Sequence, residues 1–179
     1  MNRVIIAVGL IFLFLSCDKN DETSVTYLPD NAYPVYGSVL YQLSSINLVV
    51  SSTDTSLNCG VLTPNLEEAG ITQQIVDECK SLNSEKLYFI DDALQSGGLI
   101  LVSDKEINEV SSEIDLLANY GAVAMFKFGR PVFFENNTRA MFELNYFWGP
   151  WCGNGAIVIA KKQNNVWGVE HYFVTWISK

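Results

Sequence analysis

Basic residues and histidine are scarce in this chain: 11 Lys and Arg stand against 20 Asp and Glu, with a single His among 179 residues. A formal charge of −9 offers little to displace counterions from phosphates, which argues against nucleic acid as a partner. One His and a handful of cysteines cannot complete a tetrahedral zinc set once a cysteine pair is oxidised, so no metal site is expected. The chain also lacks a Gly-x-Gly-x-x-Gly turn, a phosphate loop, a Ser-centred nucleophile elbow and a His-Glu-x-x-His helix, and nothing calls for a cofactor. No period of 20–50 residues recurs, which excludes a solenoid or propeller. Charged residues make up only 17% and apolar residues 49%, which excludes a disordered chain, a collagen and a coiled coil. What remains is one domain of ordinary size with enough apolar residues for a core.

The first residues read as an address. A short start, Met1-Asn2-Arg3, leads into the apolar run Val4–Leu15 and then Ser16-Cys17. At 1.5 Å per residue the run makes roughly 18 Å of helix, too short for a hydrocarbon core of about 30 Å. It has no polar face to suit a buried amphipathic helix, but it has the length of a signal-peptide core. A small residue followed by Cys at the end of such a run resembles a bacterial lipoprotein signal. Phe14 and Leu15 depart from the usual Leu and small residue at those places. The resemblance implies removal of residues 1–16, fatty acylation of Cys17 (palmitate or a similar chain) and a membrane as partner through that anchor. Asp18-Lys19-Asn20-Asp21-Glu22 is similar to the acidic stretch that directs lipoproteins of one Gram-negative phylum to the cell surface. It also suits a solvated tether, and it lacks the Gly and distal Glu of an EF-hand. The implied location is the cell envelope, at the outer membrane or its outer face. The implied division is a signal peptide over 1–16, a lipidated tether over 17–34 and one domain over 35–179.

Export places Cys59, Cys79 and Cys152 in an oxidising compartment. Cys59 lies in the turn-rich stretch Thr53–Pro64 and Cys79 on an expected helix. A bridge between them would contribute about 3 kcal/mol by constraining the unfolded chain. Spacing alone leaves the connectivity open. Cys152 is then unpaired, and a small buried hydrophobe is the commonest role for such a residue.

Two amphipathic helices are expected. Asn65 with Glu68 suits a first turn, and Ile71, Ile75, Val76, Cys79 and Leu82 then form one stripe. Ser103-Asp104-Lys105-Glu106 fits a capping box, followed by Ile107, Val110, Ile114 and Leu117, with Gly121 as the stop. Leu87–Ile90 and Leu99–Val102 suit short strands around Ser96-Gly97-Gly98, while Val35–Ser51 fits a strand or a helix equally. Beyond Ala122 the period becomes two. Ala140, Phe142, Leu144 and Tyr146 alternate with Arg139, Met141, Glu143 and Asn145, predicting a strand with one drier face. Asn136-Asn137 marks a hairpin turn before it, Ala156–Ala160 a central strand, and Gln163-Asn164-Asn165 a turn into a long last strand, Val166–Ile177. The sum is an α+β fold, with two amphipathic helices packed on a C-terminal antiparallel sheet. Acids concentrate over 67–115 and bases over 116–179, as solvated helix faces beside a buried sheet would give.

Candidate sites are few. Trp148-Gly149-Pro150-Trp151-Cys152-Gly153-Asn154-Gly155 contains a Trp-Cys-Gly similar to the thioredoxin motif, but Gly155 stands where the second Cys belongs and no helix follows. A hairpin loop or bulge suits its glycines, with the tryptophans covering the end of the core. Cys152 and His171 are the one conceivable nucleophile and base, with His171 expected on a strand face beside Trp167, Val169, Phe173 and Ile177. Such apolar surroundings would keep its imidazole neutral. No third, orienting group is identifiable, and Asp91-Asp92 is a lone carboxylate pair. The last quarter, with Gly153-Asn154-Gly155, Lys161-Lys162 and Trp176-Ile177-Ser178, resembles uncharacterised secreted bacterial proteins that end in Trp-Ile-Ser. That resemblance implies a closing antiparallel sheet and no particular chemistry. The expectation is a non-enzymatic binding or structural module, with no catalytic residues and a protein or small-molecule ligand that sequence does not name. An exported hydrolase or transferase using Cys152 and His171 is the alternative.

Overall fold

The computed structural model describes residues 25–40, 47–89, 99–109, 112–149 and 152–178. The signal segment, Cys17, Asp91-Asp92, Ser96-Gly97-Gly98 and Trp151 lie outside them.

The fold is mixed α/β around one seven-stranded sheet. A 3₁₀ turn (Asp30–Ala32) leads into α1 (Tyr33–Leu40), followed by β1 (Asn47–Val50), α2 (Pro64–Glu68) and α3 (Gln73–Leu82). Next come β2 (Leu99–Val102), α4 (Asp104–Glu109), α5 (Glu113–Tyr120) and β3 (Ala124–Phe128). The chain ends in β4 (Val132–Phe134), β5 (Arg139–Gly149), β6 (Cys152–Gln163) and β7 (Val166–Ser178). Strand order is β2-β1-β3-β5-β6-β7, with β4 in line with β3 along the same edge of β5. The meander β5-β6-β7 is antiparallel, as its period-two pattern predicts. The three parallel strands β2-β1-β3 are not visible in that pattern. Leu48-Val49-Val50 is buried on both faces, the usual state of a parallel strand, and such a run carries no alternation to read. Val35–Ser51 resolves into both of its expected forms, a helix and then a strand.

Buried clusters lie on both faces of the sheet. On one, Tyr36 of α1 is fully buried, with ring centroids 4.6 Å from Phe128, 5.3 Å from Phe142 and 5.6 Å from Phe89. On the other, Leu66, Ile71, Val76 and the two half-cystines cluster with Val132, Met141, Ile157 and Ile159, while Leu116 and Leu117 cluster with Leu48, Val102 and Met125. Met141 is therefore as dry as Phe142, and the expected wet face of β5 is covered. Its Arg139 is buried because Glu135 and Glu170 pair with it and its guanidinium donates to the Ala69 carbonyl at 2.7 Å. Residues expected in the tether are also packed: Leu28, Ala32 and Tyr33 are buried.

Each expected helix is broken in two. Thr63, not Asn65, caps α2, with Pro64 in its first turn, and Gly70 at φ +79° ends it before α3 begins. The Ser103–Glu106 capping box forms reciprocally at 2.7 and 3.2 Å, but α4 stops at Glu109 and α5 restarts from its own cap, Ser112. Gly121 ends α5 at φ +61°. The Asn136-Asn137 and Asn164-Asn165 turns all take positive φ, which Asn tolerates better than most residues.

Candidate functional site

The structure keeps Cys152 and His171 apart. Cys152 begins β6 next to Gly149, whereas His171 on β7 pairs with Ile159, seven residues further along β6. At 3.3 Å per residue that separation is roughly 23 Å, far beyond hydrogen-bond reach. His171 stacks on Phe173 with centroids 5.6 Å apart. The expected shared face for Trp167, Val169, His171, Phe173 and Ile177 does not form as one. The register shift at Ile159/Ala160 puts Trp167 and Val169 on the α1 side and leaves His171 and Phe173 on the opposite side, and the shift at Gly155/Ala156 returns Ile177 to the α1 side. Cys59 and Cys79 are joined in a disulfide and both are buried. Among the described residues no group of His, Cys, Asp or Glu is placed to hold a metal, and no helix is long and apolar enough to cross a membrane.

Gly153 and Gly155 lie within β6, not in a loop, and their role is close packing. A Cβ on Gly155 would fall 2.1 Å from Nε1 of Trp176, because the indole lies across that glycine to donate to Asn145 Oδ1 at 3.2 Å. A Cβ on Gly153 would meet the Tyr146 carbonyl at 2.9 Å.

Three surfaces remain as candidate sites. The first is an aromatic patch on the α1 side of β5-β6-β7, beyond the helix. Phe126, Tyr146 and Trp148 form a ladder from core to surface, with centroids 4.7 and 4.9 Å apart. Tyr172 donates its hydroxyl to Asn154 Oδ1 at 3.3 Å, and Ile177 pairs with Asn154 on the same face. Burial, reinforced by nearby Tyr146, raises the Tyr172 phenol pKa, so it stays a neutral donor. Trp148 is 42% exposed, Tyr172 43%, Val174 50% and Ile177 62%, so large apolar side chains meet water on β5 and β7, to either side of β6. None of these side chains is charged.

The second is a cleft of about 400 Å³ on the opposite face, floored by Ile157 and Phe173 and rimmed by Thr63, Asn65 and Thr175. Beside it Glu143 accepts the Cys59 N–H at 2.8 Å. Burial pushes the Glu143 carboxyl pKa up; the Cys59 N–H opposes this, and the Asp54 charge adds to the rise. The third is a cleft of about 310 Å³ between the 3₁₀ turn, α3 and the β3–β4 connection, holding Arg130 and Glu78.

Neither Glu143 nor Arg130 stood out in the sequence. Glu143 is the one acid on its strand, a usable signal, whereas Arg130 next to Pro131 looks like any turn residue. Compared with known protein families, curated proteins and solved structures, the chain matches none.

Proposed function

We propose that this chain is a lipid-anchored bacterial envelope protein, an α+β module with helices packed on its mixed sheet, that binds rather than catalyses. The anchor rests on the Val4–Leu15, Ser16-Cys17 pattern; it tethers the domain at the outer membrane through acylated Cys17. The binding role rests on one observation, the uncharged aromatic patch of Tyr146, Trp148, Tyr172, Val174 and Ile177. Large exposed apolar side chains gathered on one face of a sheet are unfavourable in water unless something covers them. Trp and Tyr combine large contact area with a polar handle, which suits them to interfaces. The roughly 23 Å between Cys152 and His171 removes support from the hydrolase reading.

The reading is tested by placing a photo-crosslinking residue at Trp148, and as a control at exposed Val166 beside the β6–β7 turn, in the full chain expressed in its membrane. A discrete adduct from position 148 and none from position 166 is expected. No adduct from either position, or identical adducts from both, refutes the patch as the binding face.

A further inference from the structure

The 310 Å³ cleft carries an unspent charge on a fixed support. Arg130 is half-buried, and among the described residues no carboxylate lies within 4 Å of its guanidinium. Buried Arg139, by contrast, holds two carboxylates. In a chain with nearly twice as many acids as bases, an arginine lining a cleft without an ion pair is unexpected.

Its backbone is nonetheless locked. Asn83, buried to 1% exposure, donates Nδ2 to the Arg130 carbonyl at 3.1 Å and accepts the Arg130 N–H on Oδ1. One residue earlier, the Gly129 carbonyl accepts the Tyr36 hydroxyl at 2.8 Å, and the Gly129 N–H donates to the Glu143 carbonyl at 2.8 Å. No side chain fits at Gly129, where a Cβ would meet the Leu57 carbonyl at 2.3 Å. Three elements thus converge to hold a segment whose one charged side chain makes no ion pair. Such preorganisation lowers the ordering cost of capturing a ligand.

The rest of the lining sets the ligand's chemistry. An arginine fork matches a carboxylate. Glu78 of α3 lines the same cleft, presents the opposite charge and has no ion pair among the described residues. Phe133, Leu82 and Pro131 give apolar wall between them. The volume sits at the low end of the roughly 300–1,000 Å³ of small-molecule sites, so the ligand is small. We propose that this cleft binds an α-amino acid with an apolar side chain as its zwitterion, carboxylate on Arg130, ammonium toward Glu78 and side chain against Phe133 and Leu82. The site lies away from the aromatic patch and does not depend on it.

Titration calorimetry of the full chain with L-phenylalanine tests this, with phenylalaninamide and N-acetylphenylalanine as the compounds lacking one charge each. Saturable binding of phenylalanine, with each comparator weaker by about tenfold or more, is expected. Arg130→Gln should reduce phenylalanine affinity by a similar factor. Arg130→Lys, which keeps the charge and loses the fork, should reduce it less, and this variant decides if the glutamine variant fails to fold. Glu78→Gln should weaken phenylalanine while leaving N-acetylphenylalanine unchanged. No saturable binding at millimolar phenylalanine, equal binding of either comparator, or indifference to both Arg130 variants overturns the proposal.

Discussion

Replacing Gly155 with alanine places a methyl carbon 2.1 Å from Nε1 and 2.5 Å from Cδ1 of Trp176, and 2.8 Å from Oγ1 of Thr175. The indole cannot stay, because ordinary carbon contacts start near 3.5 Å. Two losses follow. Overpacking against a ring held by β5 costs about 1–3 kcal/mol. Moving the ring also breaks the Nε1–H donation to Asn145 Oδ1, worth about 1 kcal/mol. Together they predict destabilisation of about 2–4 kcal/mol, which for a domain of this size lowers Tm by roughly 4–16 °C. The assay is urea unfolding followed by tryptophan emission, repeated in a Trp176→Ala background. Once the indole is gone only the Thr175 hydroxyl, the end of a side chain that can rotate, crowds the methyl group, so the same alanine should then cost less, and the two sites should couple strongly in a double-mutant cycle. A wild-type midpoint for Gly155→Ala, or an equal loss with and without Trp176, would refute the reasoning.

Glu143→Gln keeps an acceptor for the Cys59 N–H and removes a charge that burial disfavours. The folded-state pKa of Glu143 is raised, so its contribution is most favourable at acid pH and is lost as pH rises through the folded pKa. The variant should therefore have a higher Tm than wild type at neutral pH, converging with it near pH 4, by scanning calorimetry; a lower Tm at neutral pH contradicts this. Converting both Cys59 and Cys79 to alanine should lower unfolding free energy by about 3 kcal/mol, measured by denaturant titration against the oxidised wild type. Asn83→Ala leaves the Arg130 N–H and carbonyl without their buried side-chain partner, and should cost about 2–3 kcal/mol in the same titration; a loss within 0.5 kcal/mol of zero, the range of surface substitutions, would show that the β3–β4 segment is held otherwise.

The parts of the fold legible in the sequence are those set by local chemistry. The Ser103–Glu106 box, the Gly121 stop, the paired asparagines of two turns and the alternation along β5 each reflect interactions within a few residues. Long-range packing was hidden. The parallel strands β1, β2 and β3 are short, mostly apolar runs with no regular alternation, and the covering of Met141 and Arg139 depends on α2 and α3 folding back over them. The breaks at Gly70 and Ser112 carry local signals of their own, a glycine at positive φ and a serine cap, beside the apolar stripes that predicted continuous helices. Two register shifts in β6–β7 scattered His171 and its expected neighbours, since one inserted residue moves every later side chain to the opposite face. The aromatic patch was half legible: the tryptophans stand out by type, but only the ladder Phe126–Tyr146–Trp148 shows which of them reaches water. Arg130 gains its interest from Asn83 and Tyr36, 47 and 93 residues away from the groups they hold, a relation no local pattern carries.

The most direct test of the anchored-module account is the intact mass of the protein extracted from bacterial membranes, beside the fate of a Cys17→Ser variant. Maturation at Cys17 predicts a chain lacking residues 1–16, heavier by its fatty acyl groups, in the membrane fraction, with no such acylated species formed by the variant. A mature protein that carries an unmodified Cys17, or retains Met1, would contradict the account.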